Sequence, residues 1–393
     1  MRTFLRYTLL LGTGLGLGGM ALAAAPVPVP APTSQSGSAP PVLEAEVADV
    51  VPLRPLKDHD LLIGGGEGGG VRIIDGDTLQ HVAQLYTAPH SNYAVDPLGH
   101  FFYVAETYWS LGNRGQRRDL VTVYDGATLN LAGEIPLPGR LLTDPKTANF
   151  DISSDGHFAY VYNFEPASSV VVVDLHKRKV TASLSLPGCG LVYAWGERSF
   201  ASLCADGTLA TVVGTGPVAR TQPFFDAEHD PVFDESVVDR KTGKAFFLTY
   251  TGSLFEVQLA EHPQIGASWS LQQAAGLSPA TTATGRVTWR PGADRLAAYH
   301  RRSGRLFVLM HEGVHWTQAQ PGTEVWVLDT ASRKLLARYP VPQSASSIAV
   351  TQDVQPVLFA LSEEWLWVLN PDTGEVLHGK PGRTGSLLAV KDF

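Results

Sequence analysis

Val71-Arg-Ile-Ile-Asp75 with Gly76-Asp-Thr78 is an apolar strand that ends in an acid and opens a turn, and the same phrase recurs along the chain. It returns as Val121-Thr-Val-Tyr-Asp125 with Gly-Ala-Thr128 and as Val170-Val-Val-Val-Asp174. It returns again as Val325-Trp-Val-Leu-Asp329 with Thr-Ala-Ser332 and as Leu366-Trp-Val-Leu-Asn370 with Pro-Asp-Thr-Gly374. An Asp or Asn at a strand end can accept hydrogen bonds from the backbone of the turn it opens, which explains the residue type at that place. A second element, a polar turn followed by a buried strand, precedes several copies, as in Asp96-Pro-Leu-Gly-His-Phe-Phe-Tyr-Val104 and Arg302-Ser-Gly-Arg-Leu-Phe-Val-Leu309.

Together the two elements make a unit of roughly 40–50 residues, the size of a four-stranded propeller blade. Seven units can be placed, near residues 58–87, 88–138, 145–187, 189–225, 230–272, 286–342 and 346–380. The fourth is the least regular. The tail Gly385-Ser-Leu-Leu-Ala-Val390 reads as a strand returning to complete the first blade. The expected fold is therefore all-β, a seven-bladed β-propeller of four-stranded antiparallel blades over residues 58–393, with the ring closed by the C-terminal strand. Closure removes the edge strands that would otherwise recruit other chains.

The chain opens with Met1-Arg-Thr-Phe-Leu-Arg6, an apolar glycine-rich run to Met20, and Ala21-Leu22-Ala23. That order describes a secretory signal peptide over residues 1–23, with an exported, soluble mature protein expected. A membrane anchor is the competing reading, but the run is short and rich in glycine. Residues 24–57 are Ala/Pro-rich without apolar periodicity and read as a disordered arm. Loss of Arg2 and Arg6 would leave 28 basic residues against 38 acidic ones, a net charge of −10. That balance disfavours nucleic acid and anionic membranes as partners. Cys189 and Cys204 are the two cysteines. In an oxidising compartment they read as a disulfide, since two thiols cannot complete a zinc tetrahedron.

Several motifs imitate chemistry. His311-Glu-Gly-Val-His315 fits a zinc-protease signature, but that chemistry needs a helix presenting both imidazoles on one face. Here the motif follows the strand Arg305–Met310 and contains a glycine, so a loop without metal is expected. Gly64-Gly-Gly-Glu-Gly-Gly69 fits a dinucleotide fingerprint but leads into a strand, and Glu67 would repel phosphate. Arg114, Arg117 and Arg118, in an insertion after Trp109, are either a solvated loop with internal ion pairs or a contact surface for a partner subunit. No catalytic acid/base pair can be assigned.

Four stretches, in order, resemble the heavy subunit of the methylamine and aromatic amine dehydrogenases. They are Cys189 to Leu209 with its C-x-D-G-x-L ending, Arg114 to Asp125, Trp289-Arg-Pro-Gly292 with Ala298 to Leu309, and Asp226 to Glu256. The resemblance runs over roughly residues 58–390. It implies a periplasmic heterotetramer of two heavy and two light chains. In such an assembly the disulfide-rich light subunit carries tryptophan tryptophylquinone and deaminates a primary amine to an aldehyde and ammonia. A blue-copper protein takes the electrons singly. The resemblance places no cofactor in this chain and gives it the roles of docking the light subunit and walling part of the substrate channel. It also implies a bulky aromatic on the first-blade loop, where this chain has Gly64 to Gly70 and none. Two other readings stand beside it: a lactonase-like hydrolase, which needs Glu, Asn, Asp and His converging with a metal in the central channel, and a pure binding scaffold.

Overall fold

The computed structural model describes residues 52–64, 69–142, 146–382 and 387–391. The expected signal peptide and most of the expected arm lie outside the described residues. Seven antiparallel sheets follow one another along the chain, each built on a path of four strands. The first pairs Leu387–Val390 with Asp60–Gly64, then Val71–Asp75 and His81–Leu85. The ring is thus closed by joining the C-terminal strand to the first one, in the register Leu61↔Val390, Leu62↔Ala389 and Ile63↔Leu388.

The acid at the strand end does what its recurrence suggests. Asp75 Oδ1 accepts from the Asp77 and Thr78 amides, both at 3.1 Å, and Asp125 Oδ1 accepts from Thr128 N at 2.8 Å. Asp174, Asp329 and Asn370 repeat the pattern on Lys177, Ser332 and Asp372 at 2.7–2.9 Å. Each turn then closes through a left-handed residue: Leu79, Leu129, Arg178, Arg333 and Gly374, with φ of 52–74°. Four of those five are not glycine, although a positive φ is uncommon for other residues. The side-chain cap on the turn is what holds them there.

Each sheet buries both faces against its neighbours. The largest cluster joins blades five to seven around Trp326, Phe246, Phe307 and Leu358, all buried. The fourth blade, irregular in sequence, is short rather than incomplete, ending in the two-residue strand Ala219–Arg220. The sixth departs from the repeat, its inner strand being split into Thr288–Pro291 and Ala297–His300, which both pair with Arg305–Gly313. The end of the expected arm is not free. Arg54 holds Asp60 at 2.6 Å and Asp75 at 3.1 Å, and Leu53 and Leu56 pack on the first two blades. These ion pairs anchor a segment whose composition alone reads as unstructured.

Leu388 on the closing strand is fully buried, whereas Val376 on the outer strand of blade seven is 44% exposed. Leu388→Ala should cost about 2–4 kcal/mol by loss of packing, against about 0.5 kcal/mol or less for Val376→Ala. Urea unfolding followed by circular dichroism measures both, and equal midpoints would mean that the closing strand does not bear on stability.

Candidate functional site

Every inner strand runs in the same sense around the ring, so the turns between second and third strands share one face with the connections between blades. That face carries the features that do not repeat: the glycine-rich segment, the arginine hairpin, the disulfide and the His311–His315 loop. The Cys189–Cys204 bond joins the first two strands of blade four at this end. The opposite face carries the repeated Asp-capped turns.

The arginine hairpin overhangs this face because its two strands, Phe101–Trp109 and Arg117–Asp125, are longer than the inner strand Asn92–Val95. Its residues divide into two kinds. Arg117 is tied down: it meets Asp119 at 3.0 Å, Glu165 of the next blade at 3.4 Å and the Arg140 carbonyl at 2.6 Å. Arg114 is exposed, and Arg118, 64% exposed, reaches only its own sheet through Glu134 at 3.1 Å. Trp109 is half-buried opposite Arg117, while Tyr108 and Leu111 beside it are exposed. The exposed charge therefore belongs to Arg114 and to Arg118, the latter paired within its own sheet, and Arg117 is a staple between blades.

Beneath the hairpin lie two buried charges that sequence reasoning missed. Arg140 is 3% exposed and donates to Thr107 Oγ1, His90 O and Asn92 Oδ1 at 2.7–3.2 Å. Burial lowers its pKa to about 10, and the nearby Asp119 opposes that shift. Glu106, fully buried, accepts from Ala88 N at 2.9 Å and the Tyr124 hydroxyl at 3.2 Å. Buried charges satisfied this way hold the overlying hairpin in one conformation.

The histidine motif is not helical. His311 stands on the strand Arg305–Gly313 and His315 in the loop that follows. Their Nε2 atoms are engaged separately, with Thr317 Oγ1 and the His229 carbonyl, both at 2.8 Å. Among the described residues, no group of three or more His, Cys, Asp or Glu side chains is placed to hold a metal. The loop instead projects Trp316, half exposed and left-handed at φ 71°, braced by His315 at 4.5 Å and Tyr250 at 5.9 Å. A bulky residue held in that region of backbone space is strained, and its surroundings must impose it.

In the glycine-rich segment, residues 65–68 lie outside the described part. A Cβ on Gly64 would stand 2.2 Å from the Tyr93 ring, so no other residue fits there. The chain then enters the strand Val71–Asp75, not a helix. Tyr86, 77% exposed, stands next to this segment.

A cavity of about 210 Å³ runs along the ring axis. Near the irregular face it is lined by Asn92, Thr147, Glu235 and Arg295, and further along by Asp151 and Arg240, an ion pair at 2.8 Å. Among the described residues its lining contains Asn92, Asp151 and Glu235 and no histidine.

The described residues thus form a ring of blades with one regular face and one elaborated face. The chain belongs to the methylamine dehydrogenase heavy chain family, whose model matches residues 69–385. It is 28% identical over 313 residues to the methylamine dehydrogenase heavy chain of Methylobacillus flagellatus, covering 78% of this chain and 76% of that one. To the heavy chain of Paracoccus versutus it is 28% identical over 344 residues, covering 85% and 76%. Solved structures of similar fold include the dihydro-heme d1 dehydrogenase NirN, with TM-score 0.55, 16% identity and coverage of 86% and 77%. A functionally unknown protein from Desulfotomaculum acetoxidans has TM-score 0.58 at 13% identity, covering 84% of this chain and 98% of its own. At those identities the likeness is one of fold alone.

Burial pushes His311 down to about 4, with Arg290 adding to the shift. Its folded pKa lies below the unfolded one, so the stability it contributes is present above about pH 6.5 and is lost as pH falls towards 4. His311→Gln should flatten this acid limb by roughly 2–3 kcal/mol between those limits. Urea unfolding at a series of pH values measures the slope, and an unchanged slope would locate the acid sensitivity elsewhere.

Proposed function

We propose that this chain is the non-catalytic large subunit of a periplasmic quinoprotein amine dehydrogenase. It docks a small light subunit on the elaborated face, and a blue-copper protein collects the electrons. The carrying observation is the family match over residues 69–385, which spans nearly the whole ring. The quinone is proposed to reside in the light subunit as tryptophan tryptophylquinone, where it supplies the two-electron oxidation of a primary amine to an aldehyde and ammonia. In this reading the present chain binds, orients and excludes water. Arg114 and Arg118 steer an acidic partner surface onto the hairpin, and exposed rim charges of that kind act mainly on encounter rate. Trp109, Tyr108 and Leu111 supply the apolar contact beside them. Tyr86 is the exposed aromatic nearest the glycine-rich segment and stands in for the aromatic the family resemblance leads one to expect there.

The test is co-purification of the tagged chain from its native host with visible absorption of what accompanies it. A small disulfide-rich partner whose quinone absorption bleaches on adding a primary amine is the expected result. The chain recovered alone and colourless from cells that are oxidising amines would overturn the reading. With the partner in hand, the double variant Arg114→Glu, Arg118→Glu should weaken association about 10-fold or more at low ionic strength and much less in 0.5 M salt, because exposed charges are screened. Surface plasmon resonance at two salt concentrations measures this, and equal losses at both would place the contact elsewhere.

A further inference from the structure

At its end near the irregular face the axial cavity is lined by one acid and one base that do not pair with each other. Glu235, on the connection into blade five, accepts from the Thr147 amide at 2.7 Å and from the Thr147 hydroxyl. Thr147 uses both carboxylate oxygens, one for each bond, which leaves further lone pairs free. Arg295, on the sixth blade just before the strand Ala297–His300, gives one side-chain hydrogen bond among the described residues, to the Leu388 carbonyl. A guanidinium carries five N–H donors, so most of its capacity is left over in a side chain that lines the cavity. The two groups sense each other's charge, yet no ion pair within 4.0 Å joins them. Of the other charged groups in the lining, Asp151 holds Arg240 at 2.8 Å and Lys391 holds Asp58 at 3.1 Å, while Lys241 lies beyond the strand Val237–Asp239, at the opposite end of the channel from Glu235.

Two opposite charges kept apart across a cavity are costly unless something between them satisfies both. The filler must donate to Glu235 and accept from Arg295. We propose that the channel mouth is a binding site for a small zwitterion of the α-amino acid class, with its ammonium on Glu235 and its carboxylate on Arg295. The fork geometry of arginine suits a carboxylate held through two parallel hydrogen bonds. Tyr93 and Tyr193 wall the space, and Ala349 and Ala389 keep it open, so the side chain accommodated is small and apolar. A cavity of about 210 Å³ holds a molecule of a few heavy atoms and excludes a cofactor. The site is distinct from the docking residues of the arginine hairpin. It uses no group from a partner.

The test is isothermal titration of the full chain, without any partner subunit, with L-alanine, and separately with acetate and with methylammonium. Alanine is expected to bind, and each half-ligand to bind about tenfold more weakly or worse. Arg295→Gln and Glu235→Gln should each weaken alanine binding about tenfold or more. Arg295→Lys, which keeps the charge and loses the fork, should fall between wild type and Arg295→Gln. Circular dichroism melts of each variant show which are folded, and the near-isosteric Glu235→Gln carries the test if the arginine variants are not. No heat with alanine up to about 50 mM would overturn the proposal and leave bridging water as the occupant. So would alanine binding unaffected by a folded Glu235→Gln. Because the measurement needs no light subunit, its failure and failure of the docking proposal are separate results.

Discussion

The pairing of Leu387–Val390 with Asp60–Gly64 is the constraint on which the rest of the molecule depends. A blade has two apolar faces and cannot bury either alone; each is covered by the next blade, and the last is covered only if the ring closes. Closure by a strand from the far end of the chain means that the first blade is completed last in sequence. Leu61, Ile63 and Leu388 then enter one cluster with Phe359 and Leu361 of the seventh blade. The same closure aligns all inner strands and so sorts every loop to one of two faces. A loop lengthened on one face does not disturb the packing between blades, which is why one face could be elaborated while the other kept its repeated turns.

The elaboration is stiff where it matters. The hairpin that carries Arg114 and Arg118 is backed by Arg140 and Glu106, charges that burial would make expensive if they were not fully engaged. Removing any one hydrogen-bonding partner there strands a charge in the interior, so the network stabilises a single arrangement of the surface above it. A similar logic applies to Trp316. Its left-handed backbone and the surrounding rings fix an exposed aromatic in place before any partner arrives, which lowers the ordering entropy lost on binding.

The fold was legible in the sequence because its signal is local. An acid at a strand end caps the next three residues whatever the rest of the chain does, and Asp75, Asp125, Asp174, Asp329 and Asn370 announce the turns in order. The Cys189–Cys204 bond was legible for the same reason, as its ends are paired neighbours in one hairpin. What was not legible is long-range. Arg140 returns to His90 and Asn92 at the start of its own blade, and Glu235 finds Thr147 two blades away, contacts that no periodicity reports. Arg117 shows the limit most clearly. In sequence it is one of three alike arginines, and only the approach of Glu165 and the Arg140 carbonyl separates it from Arg114 and Arg118.

Two kinds of polar group therefore coexist on the elaborated side, one buried and one half-buried, and their difference carries information. Arg140 and Glu106 are engaged by Thr107, His90, Asn92, Ala88 and Tyr124 of the chain itself and do not line the axial cavity; they are structural. Glu235 and Arg295 are each half satisfied, close enough to interact and too far apart to pair. The neighbouring Asp151–Arg240 pair, at 2.8 Å, shows that this channel can accommodate a direct contact between opposite charges. The open arrangement leaves room between the charges for the zwitterion proposed above. The ring axis is therefore a place where this scaffold's chemistry is unfinished, rather than an incidental void at the centre of a propeller.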